Sequence, residues 1–252
     1  MKIAITGKGG SGKTTIAAGL SLIFDKENKE VIAVDCDPDT NLGITLGVDN
    51  AENIVPISEM KELIAKRTEV ESLDKPQTFF KLNPEVSDIP DKFSVKLNNI
   101  RLLVMGKVQK ASGGCMCPEN TFMKSLISHL VLSKEQVVIL DMVAGTEHLG
   151  RGTARAVDVF IIVVEPTQIS VTTGLRIKKL TQELGIKKIY FVGNKIQSEN
   201  DKDFLNQKIK NDIIGYISFN KALQNNRGKF IFDNQLHKEF KEIYENLIGG
   251  KF

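Results

Sequence analysis

The nine residues GKGGSGKTT, Gly7 to Thr15, decide how the rest of this sequence is interpreted. They fit the pattern G-x-x-x-x-G-K-[ST], which is the phosphate-binding loop of nucleotide hydrolases. Residues 2–5 before them predict a short buried strand, and the apolar spacing over residues 14–26 after them predicts a helix. Strand, glycine-rich loop and helix N-terminus together make a site at which backbone N–H groups converge on phosphate oxygens.

The residues of this loop have distinct expected roles in binding a nucleotide. Lys13 is expected to reach the β- and γ-phosphates, and the Thr14 hydroxyl is expected to bind Mg²⁺. The residues expected to contact the nucleotide are Gly9, Gly10, Ser11, Gly12, Lys13, Thr14 and Thr15. The alternative, a glycine-rich turn that binds no ligand, is disfavoured by the strand and the helix predicted on either side.

A second lysine, Lys8, follows the first glycine, and an ordinary phosphate-binding loop does not need it. A cation so close to Lys13 is unfavourable unless anions lie nearby. The sequence K-G-G-x-G-K-T resembles the deviant Walker A motif of the MinD/ParA/nitrogenase iron protein class of ATPases. That resemblance implies a catalytic role for Lys8, which would reach across a dimer interface to the nucleotide of the partner. The alternative is a solvated loop lysine.

Composition and charge exclude several classes of protein. With 252 residues, of which 41% are hydrophobic, the chain can bury a full core. No apolar run approaches the length of a membrane span, and the first residues enter a strand directly, so we expect a cytoplasmic protein without a signal peptide. A net charge of +3 is too small to indicate binding to nucleic acid. Three cysteines do not make a disulfide framework.

Apolar runs typical of buried strands alternate with helical patterns along the chain. Strands are expected at residues 2–5, 31–34, 101–105, 137–140, 159–164, 189–192 and 213–217. Helices are expected at residues 14–26, 58–67, 119–132, 172–184 and 234–247. This alternation predicts an α/β fold of the P-loop NTPase type, a doubly wound, mostly parallel sheet with helices on both faces. We expect one domain over residues 1–252, with a loosely patterned insertion at about 68–99 lying over the core.

Two acidic residues follow predicted strands, at the edge where the ligands of an open parallel sheet gather. Asp141 comes after four apolar residues, which is the pattern of a Walker B carboxylate that holds Mg²⁺. Asp37 comes just after the second strand, where a carboxylate could orient the water that attacks the γ-phosphate. The resemblance to the ATPase class assigns this role to Asp37 and not to Asp35. Between them, Cys36 is interpreted as a small packing residue.

Asn194 and Lys195 follow another predicted strand and are expected to meet the purine. Guanine-specific proteins use N-K-x-D, whose carboxylate accepts two hydrogen bonds from guanine. Gln197 stands at the fourth position and cannot supply this charge-assisted pair, so ATP is favoured over GTP. The turn at residues 218–220 is a second candidate for purine contact.

Cys115 and Cys117 are separated by one residue and preceded by two glycines. Residues i and i+2 of an extended segment point to the same side, so both sulfurs could reach one metal ion. Two thiolates make only half of a four-coordinate site, and a symmetric dimer would supply the other half. Spacing alone supports a metal site and a pair of idle thiols about equally. His148 is assigned no catalytic role.

Several segments resemble the CooC family, the nickel-insertion accessory ATPases of carbon monoxide dehydrogenase. Besides the loop at residues 7–15 they are DCDPDTN at 35–41, CMCPEN at 115–120, DMVAGTEHLGRGTA at 141–154 and EP at 165–166. The resemblance implies an ATPase whose homodimer assembles with ATP and metal, so that the Cys115 and Cys117 pairs meet at the interface. It also implies that Ni²⁺ is delivered from there to a client enzyme, with Zn²⁺ as a competitor for the same thiolate ligands.

Three alternatives stay open at this stage. A closely similar accessory ATPase, AcsF, serves acetyl-CoA synthase, so the client is either that enzyme or carbon monoxide dehydrogenase. An iron–sulfur ATPase resembling the nitrogenase iron protein would also join two chains through cysteines, although its cysteines come from separated segments. A partition or septum-positioning ATPase would need a basic patch for DNA or a detachable amphipathic tail for a membrane. We expect neither nucleic acid nor membrane as a partner.

Overall fold

A single mixed sheet organises the chain. The computed structural model describes residues 1–74, 79–106, 117–132, 136–143, 157–221, 223 and 228–249. Its strands are β1 (Lys2–Gly7), β2 (Val31–Asp35), β3 (Val95–Leu97), β4 (Ile100–Val104), β5 (Val137–Asp141), β6 (Val159–Val164), β7 (Ile189–Ile196) and β8 (Ile213–Ser218). They lie in the order β3-β4-β2-β5-β1-β6-β7-β8, and only the β3–β4 pair is antiparallel among these described strands.

Helices cover both faces of this sheet. They are α1 (Lys13–Lys26), α2 (Leu42–Leu46), α3 (Lys61–Thr68), α4 (Ile89–Phe93), α5 (Pro118–Leu132), α6 (Gln168–Glu183), α7 (Glu199–Ile209) and α8 (Asn234–Gly249). One buried cluster packs α5 and α6 on one face, around Phe122 and Phe160, and another packs α1 and α8 on the opposite face, around Leu20 and Phe240. The predicted doubly wound α/β fold is therefore confirmed. No helix in the described ranges is long and apolar enough to cross a membrane.

Close packing of α1 on α8 depends on a glycine. A Cβ added at Gly19 would lie 2.3 Å from ring carbons of Phe240, well inside van der Waals contact. Phe240 is fully buried, as are Leu236 and Ile243 on the same stripe of α8. The apolar stripe of the last helix thus packs on the core.

Some elements differ from the sequence-based expectation. α6 begins at Gln168, four residues before the predicted start, because the Thr167 hydroxyl accepts a hydrogen bond from the Ser170 N–H and caps the helix. α7 was not predicted, although Ser198 and Asp201 form a capping box at its start. The segment at residues 68–99 contributes the edge strand β3 and the buried Ile89 of α4, in addition to exposed loop.

Candidate nucleotide-binding site

The phosphate-binding loop leaves β1, which lies between β5 and β6 in the middle of the sheet. The chain continues from β1 to β2 on one side, whereas β6, β7 and β8 lie on the other side. This is a topological switch point, the position at which parallel sheets bind ligands beyond the carboxyl ends of their strands. Asp35 ends β2 and pairs in register with Asp141 at the end of β5. The topology therefore brings both carboxyl groups to the edge where the loop begins.

The loop has the backbone conformation that its glycines allow. Gly10 and Gly12 have φ angles of 79° and 93°, in the left-handed region that side chains rarely adopt. A Cβ at Gly12 would also lie 2.1 Å from Nδ2 of Asn194. α1 then begins at Lys13 without a side-chain cap, so its first N–H groups are left for a ligand.

Two adjacent residues of β7 hold the loop from outside. Nδ2 of Asn194 donates a hydrogen bond of 2.7 Å to the Ser11 carbonyl, and Nζ of Lys195 donates one of 2.7 Å to the Gly10 carbonyl. The Lys195 ammonium also pairs with the carboxylate of Glu165, the residue that follows β6. Sequence reasoning expected the two β7 residues at the purine and missed these contacts, which join residues distant in the chain. The purine contact itself remains a prediction.

The two lysines of the loop lie in different surroundings. Lys13 is 8% exposed, at the start of α1. Lys8 is half-buried, and its Nζ donates a hydrogen bond of 3.4 Å to the carbonyl of the neighbouring Gly9. Lys8 thus rests on its own loop in the single chain.

The two acids of the segment after β2 are used differently. Asp35 is fully buried, and its carboxylate accepts hydrogen bonds from the backbone N–H groups of Asp37, at 3.0 Å, and Leu42, at 2.8 Å. Burial raises the pKa of Asp35 to about 6, although these two bonds oppose the rise. Asp37 is half-buried, and its Oδ1 accepts from the Asp39 N–H at 3.1 Å. Asp35 therefore shapes the turn, and Asp37 is left at the rim of the site.

The carboxylate of Asp141 is buried without an ordinary hydrogen bond to the part of the chain that the structure describes. Asp141 is 1% exposed, and among the described residues neither of its oxygens accepts a hydrogen bond of ordinary geometry. Burial raises its pKa to about 7; the nearby Thr14 hydroxyl and the Lys13 charge oppose that rise, whereas the Asp35 and Asp37 charges add to it. A buried, unsatisfied carboxylate requires an explanation, and an unplaced cation is one. Carboxylate and hydroxyl oxygens are the ligands that Mg²⁺ prefers, so this pair of residues fits the ion.

Two of the three cysteines, Cys36 and Cys117, lie among the described residues. Cys115, like His148, lies outside the described residues, and Cys117 is half-buried directly before α5. Within the described ranges no group of three or more His, Cys, Asp or Glu side chains could hold a metal ion. Cys36 is 2% exposed, which confirms it as a packing residue, and burial raises the pKa of its thiol.

The turn after β8 is held by internal hydrogen bonds. Ser218 donates from its backbone N–H and its hydroxyl to the carboxylate of Glu239, at 3.0 Å and 2.6 Å. Nδ2 of Asn220 donates to Asp233 at 2.6 Å. These bonds fix the turn that the sequence proposed as a second purine contact.

Comparison with known proteins places this site in a family. Residues 2–230 match the family described as the CobQ/CobB/MinD/ParA nucleotide binding domain. The chain is 42% identical to the carbon monoxide dehydrogenase accessory protein CooC of Rhodospirillum rubrum over 227 residues, which cover 89% of this chain and 86% of that protein. An uncharacterised ATP-binding protein of Methanocaldococcus jannaschii is 42% identical over 260 residues, covering 100% of this chain and 99% of its own.

The fold has a counterpart among solved structures. The MinD cell division protein of Aquifex aeolicus superposes with a TM-score of 0.68 at 22% identity, over 99% of this chain and 97% of that one. This likeness concerns the fold alone, whereas the sequence matches extend through the phosphate-binding loop and the strands that carry the acids. The chain belongs to the CobQ/CobB/MinD/ParA family of nucleotide-binding proteins and is a homologue of CooC.

Proposed function

We propose that this protein is a Mg²⁺-dependent ATPase that forms a homodimer with ATP, carries nickel between its two chains and helps insert it into carbon monoxide dehydrogenase. The observation that carries the ATPase part is the buried Asp141 carboxylate, which has no described partner and lies near Lys13 and Thr14. The client is proposed from the 42% identity to CooC.

The site residues divide the work of phosphoryl transfer, which asks a protein mainly for positioning and charge stabilisation. Thr14 and Asp141 would hold Mg²⁺, and the ion when bound neutralises charge on the β- and γ-phosphate oxygens. Lys13 and the loop N–H groups would hold the phosphates. Asp37, at the rim of the site, would accept a hydrogen bond from the attacking water and orient it. Lys8 would leave its own Gly9 carbonyl and act on the nucleotide of the partner chain.

The metal cargo would be held by thiolates from two chains. One chain offers Cys115 and Cys117, and a two-fold axis through the site would complete a four-coordinate set. Such a soft site accepts Ni²⁺ or Zn²⁺, because geometry and availability decide between them more than raw affinity does. Acetyl-CoA synthase is the second candidate client.

The experiment that tests the proposal measures metal content and subunit mass together, with and without ATP, under reducing conditions. We expect one nickel ion per dimer and a shift from monomer to dimer when ATP is added. One tightly bound metal per monomer would refute the shared site. A visible absorption band with iron in the protein would instead favour the iron–sulfur alternative. Incubating the nickel-loaded protein with each nickel-free client enzyme identifies the client, and transfer to acetyl-CoA synthase alone would replace carbon monoxide dehydrogenase in the proposal.

A further inference from the structure

Lys195 occupies a backbone conformation that is uncommon for a residue with a Cβ. Its φ angle is 60°, in the left-handed region, and β7 is irregular between Asn194 and Ile196 where it pairs with β8. This irregularity directs the side chain to the phosphate-binding loop, where its ammonium bonds the Gly10 carbonyl at 2.7 Å. A strained residue whose side chain contacts a functional loop points to a role in that loop.

The other partner of the ammonium is itself held in place. Glu165 follows β6, its side chain is 17% exposed, and its carboxylate pairs with Lys195. Its backbone N–H donates a hydrogen bond of 3.0 Å to the hydroxyl of Ser170, which is buried in α6. The Glu165 carboxylate therefore holds the Lys195 ammonium in a fixed position beside the phosphate-binding loop.

Holding the carbonyl groups of the loop also fixes its N–H groups. In a planar trans peptide the N–H points opposite to the C=O of the same unit. With the Gly10 carbonyl on Lys195, the Ser11 N–H is directed to the Lys8 carbonyl, which it reaches at 3.0 Å. With the Ser11 carbonyl held by the amide of the β7 asparagine, the direction of the Gly12 N–H is set in the same way.

We propose that Lys195, held by Glu165, is a positioning residue that sets the phosphate-binding loop for the nucleotide phosphates before the nucleotide arrives, and that it does not read the purine. The inference rests on the proposed function, because it requires that the loop binds ATP. It assigns a purpose to Glu165, for which the nucleotide chemistry offers no role. A preset loop binds more tightly because less ordering is left to the binding step.

The test measures dissociation constants of Mg-ATPγS, Mg-ADP and Mg-GTPγS for four full-length proteins: wild type, Lys195→Met, Glu165→Gln and the double variant. Losing a charge-assisted bond on the loop should weaken ADP binding about tenfold in Lys195→Met and a few-fold in Glu165→Gln. The double variant should bind no worse than Lys195→Met, because Glu165 acts through the lysine. The preference for ATP over GTP should not change, and hydrogen exchange of the loop amides should rise.

A matched control separates positioning from general stability. Lys178 of α6 pairs with Asp212 at 2.5 Å, in an ion pair of similar burial away from the loop. Lys178→Met should lower the melting temperature to a comparable degree and leave nucleotide affinity unchanged. Glu165→Gln, which keeps the shape of the side chain, preserves the test if Lys195→Met does not fold.

The outcomes distinguish the two proposals. If wild-type protein binds no nucleotide, the proposed function fails and the positioning role fails with it. If wild type binds and Lys195→Met binds within about twofold of it, the positioning role alone is overturned. A changed ATP-to-GTP preference in Lys195→Met, with Glu165→Gln unaffected, would also overturn it and assign the lysine to the purine.

Discussion

At the residue scale, Asp37 carries a half-buried carboxylate at the rim of the site, whereas Asp35 is fully buried and Asp39 is exposed. Asp37→Asn removes a charged acceptor for the attacking water and should lower ATP turnover by about a hundredfold or more, while nucleotide affinity is retained. Lys13→Ala should lose nucleotide binding as well, because in the proposed site the lysine would already bind phosphate before the chemical step. Steady-state ATPase rates and binding titrations check both, with exposed Asp39→Asn as the control. Normal turnover in Asp37→Asn would remove this residue from the mechanism.

Asp141 predicts how the stability of the metal-free protein depends on pH. Its ordinary pKa of 3.8 is raised to about 7 in the folded protein, chiefly by burial. The folded state therefore keeps a proton that the unfolded state has lost, and this contribution to stability disappears as pH rises through that interval. The pKa of Asp35, raised to about 6, acts in the same direction.

Replacing the charge by an amide should reverse that loss. With EDTA present and at about pH 8, Asp141→Asn should unfold at higher denaturant concentration, by about 1–2 kcal/mol, because the unpaired buried charge is gone. Its ATPase activity should be absent, since the proposed magnesium ligand is lost. Urea titrations at acidic and basic pH check this, and a variant no more stable than wild type at basic pH would contradict it.

At the element scale, a substitution at the start of α7 should change the free energy of unfolding without changing ATPase activity. The Ser198 hydroxyl accepts a hydrogen bond from the backbone N–H of Asp201, the third residue of the helix. The Asp201 carboxylate in turn accepts hydrogen bonds from the backbone N–H groups of Gln197, at 2.8 Å, and Ser198, at 3.1 Å. Ser198→Ala should lower the free energy of unfolding by about 1 kcal/mol, because one helix N–H loses its partner. ATPase activity should be unchanged, and Ser198→Thr, which retains a cap, should lose less. A variant as stable as wild type would show that the cap contributes nothing.

The helices and strands also show which local sequence patterns were sufficient to predict an element. Apolar patterns predicted some elements nearly to their ends: the continuous runs of β1, β5 and β6 and the stripe of α8. Such patterns are visible in the sequence because the buried positions of strands and amphipathic helices are occupied by apolar residues. β3 has three residues, too few for a pattern, and it is a strand because β4 lies beside it. α7 has only Leu205 and Ile209 buried, so its stripe is weak, and its S-x-x-D start was the available signal.

The parts of the candidate site that come from one continuous stretch of sequence could be predicted from that stretch. The loop and Asp141 follow directly from strand-end patterns, whereas the Lys195 bond to Gly10 joins residues 185 positions apart and depends on the order of strands. The resemblance favoured Asp37 over Asp35 as the acid that orients water, and the fold adds a physical reason for setting Asp35 apart. Asp35 and Asp37 look alike in sequence, and only the backbone bonds to Asp35 show that it shapes the turn.

At the scale of the whole molecule, Lys8 predicts that ATP controls assembly. A lysine that acts across an interface matters only once two chains meet, so Lys8→Ala should still bind one nucleotide per chain. It should fail to dimerise with ATP and fail to hydrolyse it. Sedimentation velocity with and without ATPγS checks this, with the exposed Lys29→Ala as the control. An unchanged ATP-dependent dimer in Lys8→Ala would contradict the cross-interface role.

The cysteines extend the same reasoning to the metal. Because the four-thiolate site would exist only when two chains meet, nickel and ATP should each favour the dimer that the other favours, as linkage requires. Thiolates must lose protons to bind, so metal uptake at neutral pH should weaken as pH falls. Titrating nickel into protein with and without ATPγS, across a pH series, measures both effects.

The decisive variants are Cys115→Ser and Cys117→Ser, singly and together. Each should abolish nickel binding and leave ATP binding intact, since the phosphate-binding loop is built by β1, α1 and β7. Cys36→Ala is the control: its thiol is 2% exposed and enclosed by the core, so its removal should leave metal binding unchanged. If the double serine variant bound nickel as wild type does, the metal would have to lie elsewhere. Dimerisation with ATP would then remain to be explained by Lys8 alone, and the coupling between metal and nucleotide would be absent.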